Sequence, residues 1–232
     1  MEIVDLTREL YHRTQAHPNH PPVVVTAWRW DDANGKPRES NRTTNRGKAL
    51  YLSFSDHAGT HVDAPAHFDP NPGAMSIDEV PLQDFYTSGF CIDLSHVPLR
   101  TAASLEEVQF AVSRSGQTIR RGDTVLVWMA TNERLMNRPG YLHDFPGLSP
   151  AAIYWLAEQG IGMIGVEGIS AAPEGELNLK AHEACADLGI TQMKGLMNLR
   201  RLVGRGRFRF IGFPLKIRGG TASPIRAVAV FE

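Results

Sequence analysis

Only two cysteines, Cys91 and Cys185, occur in 232 residues, far apart and in apolar-looking segments. That scarcity argues against a disulfide-stapled scaffold and predicts buried thiols in an intracellular setting. Excess charge of either sign is also lacking. A net charge of −1 gives no general attraction to nucleic acid or to a membrane surface. No apolar run reaches the roughly eighteen residues that a bilayer-spanning helix needs. The opening segment Met1–Leu10 carries acids early and no long apolar stretch, which predicts a protein without a signal peptide, resident in the cytoplasm. Internal repeats and low-complexity tracts are absent. What remains is a globular composition, 42% hydrophobic and 21% charged, over a length that one domain spanning residues 1–232 can fill.

Histidine, by contrast, is concentrated. Three of the nine histidines, His57, His61 and His67, fall within eleven positions, with Asp63 between the last two. Imidazole nitrogens and carboxylate oxygens are the usual ligands of borderline divalent metals such as zinc and manganese. A helix would put His57 and His61 on one face. Gly59, Thr60, Val62 and Pro65 disfavour a helix there, and the segment reads as a turn leading into a short extended stretch. In an extended chain His61 and Asp63 project to the same side. Gly59 allows the bend that brings His57 to the same metal, and Pro65 stiffens the exit toward His67. Three ligands then leave one histidine spare, with a pKa suited to general acid–base work. Any one of these histidines alone reads as an ordinary loop residue; four ligand-type side chains so close together favour a metal site.

The remainder alternates between strand and helix signals, which predicts an α/β fold. Ser104 and Glu107 have capping-box spacing and open a helix to about Ser115. Thr124–Met129 reads as a buried strand. Ser149–Pro150 starts a helix that stops at Gly160, and Ile161–Val166 follows as a strand. His182 sits on the next helix, ending at Gly189. The polar, proline-rich stretch from His17 to Asn45 reads as loops around a short strand at Val23–Val25. His12, His17 and His20 are plain loop residues on one reading; on the other the segment covers the metal site, with Trp28 and Trp30 as aromatic walls. Arg205, Arg207 and Arg209 alternate with Gly206, Phe208 and Phe210. A strand would align the arginines on one face, either solvated or serving as an anion row, and the solvated face is favoured. His96 reads as a turn residue, and His143 lies in Tyr141–Asp144, a loop expected to border the pocket.

The contiguous run His57–Phe68, His-Ala-Gly-Thr-His-Val-Asp-Ala-Pro-Ala-His-Phe, resembles the signature of the cyclase family of metal-dependent hydrolases. That family includes bacterial kynurenine formamidases, isatin hydrolases and trans-dienelactone hydrolases. Ile3–Thr7, Ile92–Ser95, Gly122–Val127, Pro146–Ser149 and Ser223–Ala229 resemble further family landmarks. The resemblance implies a swivelling β/β/α architecture with a mixed sheet or partial barrel. It places His57, His61 and Asp63 on the first-metal ligands, His67 on the catalytic histidine, and His182 on a histidine that helps bind a second metal in dinuclear members. The other second-metal ligand is a glutamate, and here that position is Lys194. A protonated lysine donates and does not ligate, so Lys194 reads as replacing the second metal beside Asp63. Glu183 or Glu176 is the alternative source of a ligand.

One divalent ion per chain, zinc or manganese, is the expected cofactor. The expected chemistry is hydrolysis of a small amide, lactam or lactone: kynurenine formamidase-like, or mononuclear and isatin hydrolase-like or dienelactone hydrolase-like. A metal-binding protein without hydrolytic activity is the reading from another class. A small-molecule substrate and a homo-oligomer, dimer or tetramer, complete the expectations.

Overall fold

The computed structural model describes residues 1–28, 49–69 and 71–232; of Trp28 only the backbone is included. The strands are β1 (Glu2–Asp5), β2 (Val24–Trp28), β3 (Ala49–Ser53), β4 (His61–Asp63), β5 (Tyr86–Asp93), β6 (Ala102–Ala103), β7 (Thr124–Trp128), β8 (Gly147–Leu148), β9 (Met163–Val166), β10 (Thr191–Lys194), β11 (Phe208–Ile211), β12 (Ala222–Pro224) and β13 (Val228–Phe231). The helices are α1 (Leu105–Arg114), α2 (Thr131–Leu135), α3 (Pro150–Glu158) and α4 (Glu176–Leu188). Nine strands form one curled mixed sheet in the order β1-β13-β11-β5-β7-β9-β10-β4-β12. The centre, β5-β7-β9-β10, is parallel, and both flanks are antiparallel. The mixed sheet or partial barrel expected from the sequence is the architecture observed.

Central strands covered on both faces read as continuous apolar runs, and β7 shows why. Val125 and Val127 point into a core shared with α1, α3 and α4, while Leu126 points into a second core on the opposite face. Cys91 and Cys185 are both free and buried, one in each core. Full burial of a side chain of the Val, Leu or Phe kind stabilises by about 1.5–3 kcal/mol, so this two-sided packing holds the parallel centre rigid.

Local signals were realised where the chemistry is local. Ser104 Oγ accepts from Glu107 N at 3.2 Å, and Glu107 Oε2 accepts from Ser104 N at 2.7 Å, closing the capping box of α1. Ser149 Oγ accepts from Ala152 N at the start of α3, and Gly189, in the left-handed region at φ 65°, ends α4. The strand expected from Ile161 begins at Met163, because Ile161 N is still bonded to Leu156 O at the end of α3.

The arginine row fails for a comparable reason. Gly206 has φ 81°, so the strand starts only at Phe208. Arg205 pairs with Glu2, Arg207 reaches the buried Asp123, and only Arg209 stays exposed in the strand above Tyr86. The strand expected at Val23–Val25 is β2, paired with β3. Trp30 and the Trp28 side chain lie outside the described residues.

Candidate metal centre

Antiparallel pairing of β4 with β10 sets His61 directly opposite Lys194. Asp63, two residues beyond His61, shares its face, as the period of two requires. The turn before β4 depends on two glycines. Gly59 has φ 64°, and a Cβ there would lie 2.7 Å from Leu10 Cδ2. Gly195 has φ 67°, and a Cβ there would lie 2.7 Å from the Gly59 carbonyl oxygen. Thr60 Oγ1 clamps the two loops by donating to Gly195 O at 2.6 Å and accepting from Arg8 N at 2.8 Å.

Around Asp63 the expected residues converge. His57 Nδ1 lies 3.2 Å and His61 Nε2 3.5 Å from Asp63 Oδ1. On the other oxygen, Lys194 Nζ lies 2.6 Å and His182 Nε2 4.0 Å from Oδ2. Lys194 Nζ also stands 2.9 Å from His182 Nε2. The His67 ring, delivered by a 3-10 turn over Pro65–His67, stacks 4.1 Å from the His57 ring and 5.9 Å from that of His182, centre to centre. Glu176 and Glu183, the alternative acids, lie on the exposed side of α4, and Glu176 pairs with Lys180.

The hydrogen bonds define which nitrogens are free. His61 Nδ1 faces the Gly59 carbonyl at 3.0 Å and therefore carries the proton, leaving the Nε2 lone pair toward Asp63. His57 Nε2 lies 3.1 Å from Thr221 Oγ1, whose hydroxyl donates to Asp56 Oδ2 at 3.0 Å, so His57 presents Nδ1. A second shell that fixes the tautomer of each ring is the usual support of a metal-ligating histidine. His182 Nδ1 donates to Asn178 O at 2.7 Å, and its Nε2 accepts from the Lys194 ammonium.

Electrostatics match this arrangement. Burial opposes ionisation of Asp63, yet the Lys194 ammonium beside it outweighs burial and holds the carboxyl well below 3.8. Burial lowers His67 to about 3, against the pull of Asp63. Burial and the Lys194 charge lower His182 to about 4. Both rings are neutral at pH 7.

The donor set fits a divalent ion. Both Asp63 oxygens are buried, and neither accepts an aligned hydrogen bond. The ligand atoms of His57, His61 and Asp63 lie within 4.8 Å of one another, as do those of Asp63, His67 and His182. Lys194 Nζ contacts two members of the second group, Asp63 and His182.

A cavity of about 280 Å³ opens onto this cluster. His17 and His20 line it, which corrects the plain loop reading of those two residues. The His20 ring lies 5.1 Å from that of His57, and its Nδ1 lies 2.8 Å from Ser55 Oγ. His12 does not line the cavity, and neither does His143, which pairs with Glu174. The loop Tyr141–Asp144 does border it, through Tyr141 and Leu142, whereas sequence reasoning missed Arg8 and Gln15, which no spacing or composition marks. It missed Glu167 as well, a buried acid whose Oε2 accepts from Met129 N and Thr131 N.

Known proteins match this chain over most of its length. Residues 4–173 match the Cyclase family model. The kynurenine formamidase of Bacillus cereus is 31% identical over 98% of this chain and 96% of its own. That of Salinibacter ruber is 28% identical over 98% and 97%. Among solved structures, isatin hydrolase A from Ralstonia solanacearum superposes with a TM-score of 0.81 at 26% identity, covering 100% of this chain and 92% of its own. An isatin hydrolase bound to the product analogue thioisatinate also gives 0.81, at 24% identity over 98% and 91%. The chain belongs to the cyclase family of metal-dependent hydrolases.

Proposed function

We propose that this chain hydrolyses the carbon–nitrogen bond of a small amide, in the manner of a kynurenine formamidase, with one divalent ion per chain held by His57, His61 and Asp63. The observation that carries the reading is the buried Asp63 carboxylate, without an aligned hydrogen bond and facing two free imidazole lone pairs. When bound, the ion acidifies water and polarises the substrate carbonyl. Imidazole and carboxylate ligands admit both zinc and manganese.

His67 takes the proton from the attacking water as the oxygen bonds to the carbonyl carbon. It then returns a proton to the leaving nitrogen as the carbon–nitrogen bond breaks. Its neutral state at pH 7 suits the first of these steps. His182, held by Asn178 and Lys194, orients the groups on the other side of Asp63. Lys194 takes the place of a second metal and balances the Asp63 charge.

That replacement supports a second reading for the substrate, an isatin hydrolase-like or dienelactone hydrolase-like opening of a lactam or lactone on a mononuclear site. Leu50 and Leu52, exposed at 61% and 54% in β3, support a homo-oligomer. Two free, buried thiols support a cytoplasmic setting. The test is a panel of formanilides, isatin and lactones assayed with added manganese or zinc and after chelation. Metal-dependent turnover of an amide or lactam is expected. Silence across the panel by a metal-loaded protein leaves a binder without hydrolytic activity.

A further inference from the structure

Beyond the metal cluster the cavity runs along the N-terminal segment, and two polar groups there are unmatched. Arg8 lines the cavity at 7% exposure, with its guanidinium carbon 4.8 Å from the centre of the Tyr141 ring. Its Nη2 is buried without a hydrogen-bond partner, and among the described residues Arg8 makes no ion pair. Gln15 is held through Nε2, which donates to Arg138 O at 3.2 Å, while its Oε1 is buried and unbonded.

A buried guanidinium without an anion costs free energy, so its retention needs an anion from elsewhere. The acids of the cavity and of the metal cluster are committed. Glu174, which also lines the cavity, pairs with His143 at 3.0 Å, and Asp63 is neutralised by Lys194 at 2.6 Å. Its unpartnered Nη2 leaves the guanidinium a donor to give, and a guanidinium is the group whose planar fork grips a carboxylate. The backbone N of Arg8 donates to Thr60 Oγ1, one residue before His61, which ties the cation to the ligand strand. Leu142, Phe145 and Ile169 supply an apolar wall beside it.

We infer that Arg8 is the specificity-determining residue of this site: it binds a carboxylate carried by the substrate. The substrate class is a small anionic amide or lactam on an apolar body, with Gln15 Oε1 accepting a hydrogen bond from a donor on the same molecule. This inference rests on the amide-hydrolase reading for its chemistry, though not for its recognition.

The experiment compares 2-formamidobenzoate with formanilide, which lacks the carboxylate, on metal-loaded wild type, Arg8→Gln and Arg8→Lys. The readout is the ratio of kcat/KM for the two substrates, which does not depend on the fraction of active enzyme. Wild type is expected to favour the acid by about 100-fold or more. Arg8→Gln should bring the ratio to within about tenfold of unity, with Arg8→Lys in between. An unchanged ratio in Arg8→Gln, or a wild type that favours formanilide, overturns the assignment. Calorimetric titration with benzoate separates the two readings. If neither amide is turned over but benzoate binding still weakens at least about tenfold in Arg8→Gln, the hydrolase reading fails and the carboxylate site stands. Equal benzoate binding in both proteins overturns it.

Discussion

The Lys194 ammonium lies 2.6 Å from Asp63 Oδ2, both side chains buried, while the opposite carboxylate oxygen faces His57 and His61. The single carboxylate is thereby divided between an internal cation on one side and a ligand set on the other. A second divalent ion bound by Asp63 and His182 would have to displace an ammonium that is already 2.9 Å from His182 Nε2.

Replacing that ammonium should change metal stoichiometry. Lys194→Glu is expected to raise binding from about one ion per chain to about two, read by calorimetric titration of metal into the chelated protein. Lys194→Met removes one partner of a buried ion pair, and it should destabilise the metal-free protein by about 3–5 kcal/mol in denaturant unfolding. Unchanged stoichiometry in Lys194→Glu would show that Lys194 does not stand in for an ion.

His67→Ala separates proton transfer from metal binding. The ring stacks on His57 without reaching Asp63 Oδ1 through any hydrogen bond. Metal content should stay at the wild-type level while kcat falls by about 10²–10⁴. Near wild-type turnover with metal retained would remove His67 from its role.

Thr221→Val tests the support behind His57. It deletes the hydroxyl between His57 Nε2 and Asp56 Oδ2 at almost constant volume. Metal affinity or turnover is expected to drop by about 10–100-fold, measured by competition with a chromophoric chelator. No change in either would mean that the Thr221 contact does not set the His57 tautomer.

The cluster of His57, His61 and Asp63 was legible because it spans only seven positions, where period-two geometry and one bent glycine suffice to unite its members. Lys194 is 131 residues from Asp63, and only the family resemblance pointed to it. Helix caps such as Ser104 with Glu107 were legible because each is closed by a pair three residues apart. The sheet order was not, since β4 is threaded between β10 and β12 by contacts that no local pattern records. Arg8 and Gln15 reach the cavity only because the Thr60 clamp draws the N-terminal segment against β4. The arginine stripe misled because alternation in sequence presumes a strand, and Gly206 at φ 81° delays it to Phe208.

Glu167 predicts a pH signature away from the metal. Burial raises its carboxyl from 4.5 to about 7, against hydrogen bonds from Thr131 N and Met129 N. Between those values the folded state binds more protons than the unfolded state, so this group's contribution to stability is full below about pH 4.5 and is lost as pH rises through about 7. The full span amounts to about 3 kcal/mol. Glu167→Gln should flatten that decline in urea unfolding followed from pH 5 to 8. An identical slope in wild type and variant would contradict the assignment.

Elemental mass spectrometry of the protein purified without added metal or chelator, with His61→Ala alongside, tests the centre most directly. The expected result is about one zinc or manganese per wild-type chain and almost none in the variant. Two ions per wild-type chain would contradict the mononuclear site, and an equal content in His61→Ala would contradict the ligand set itself.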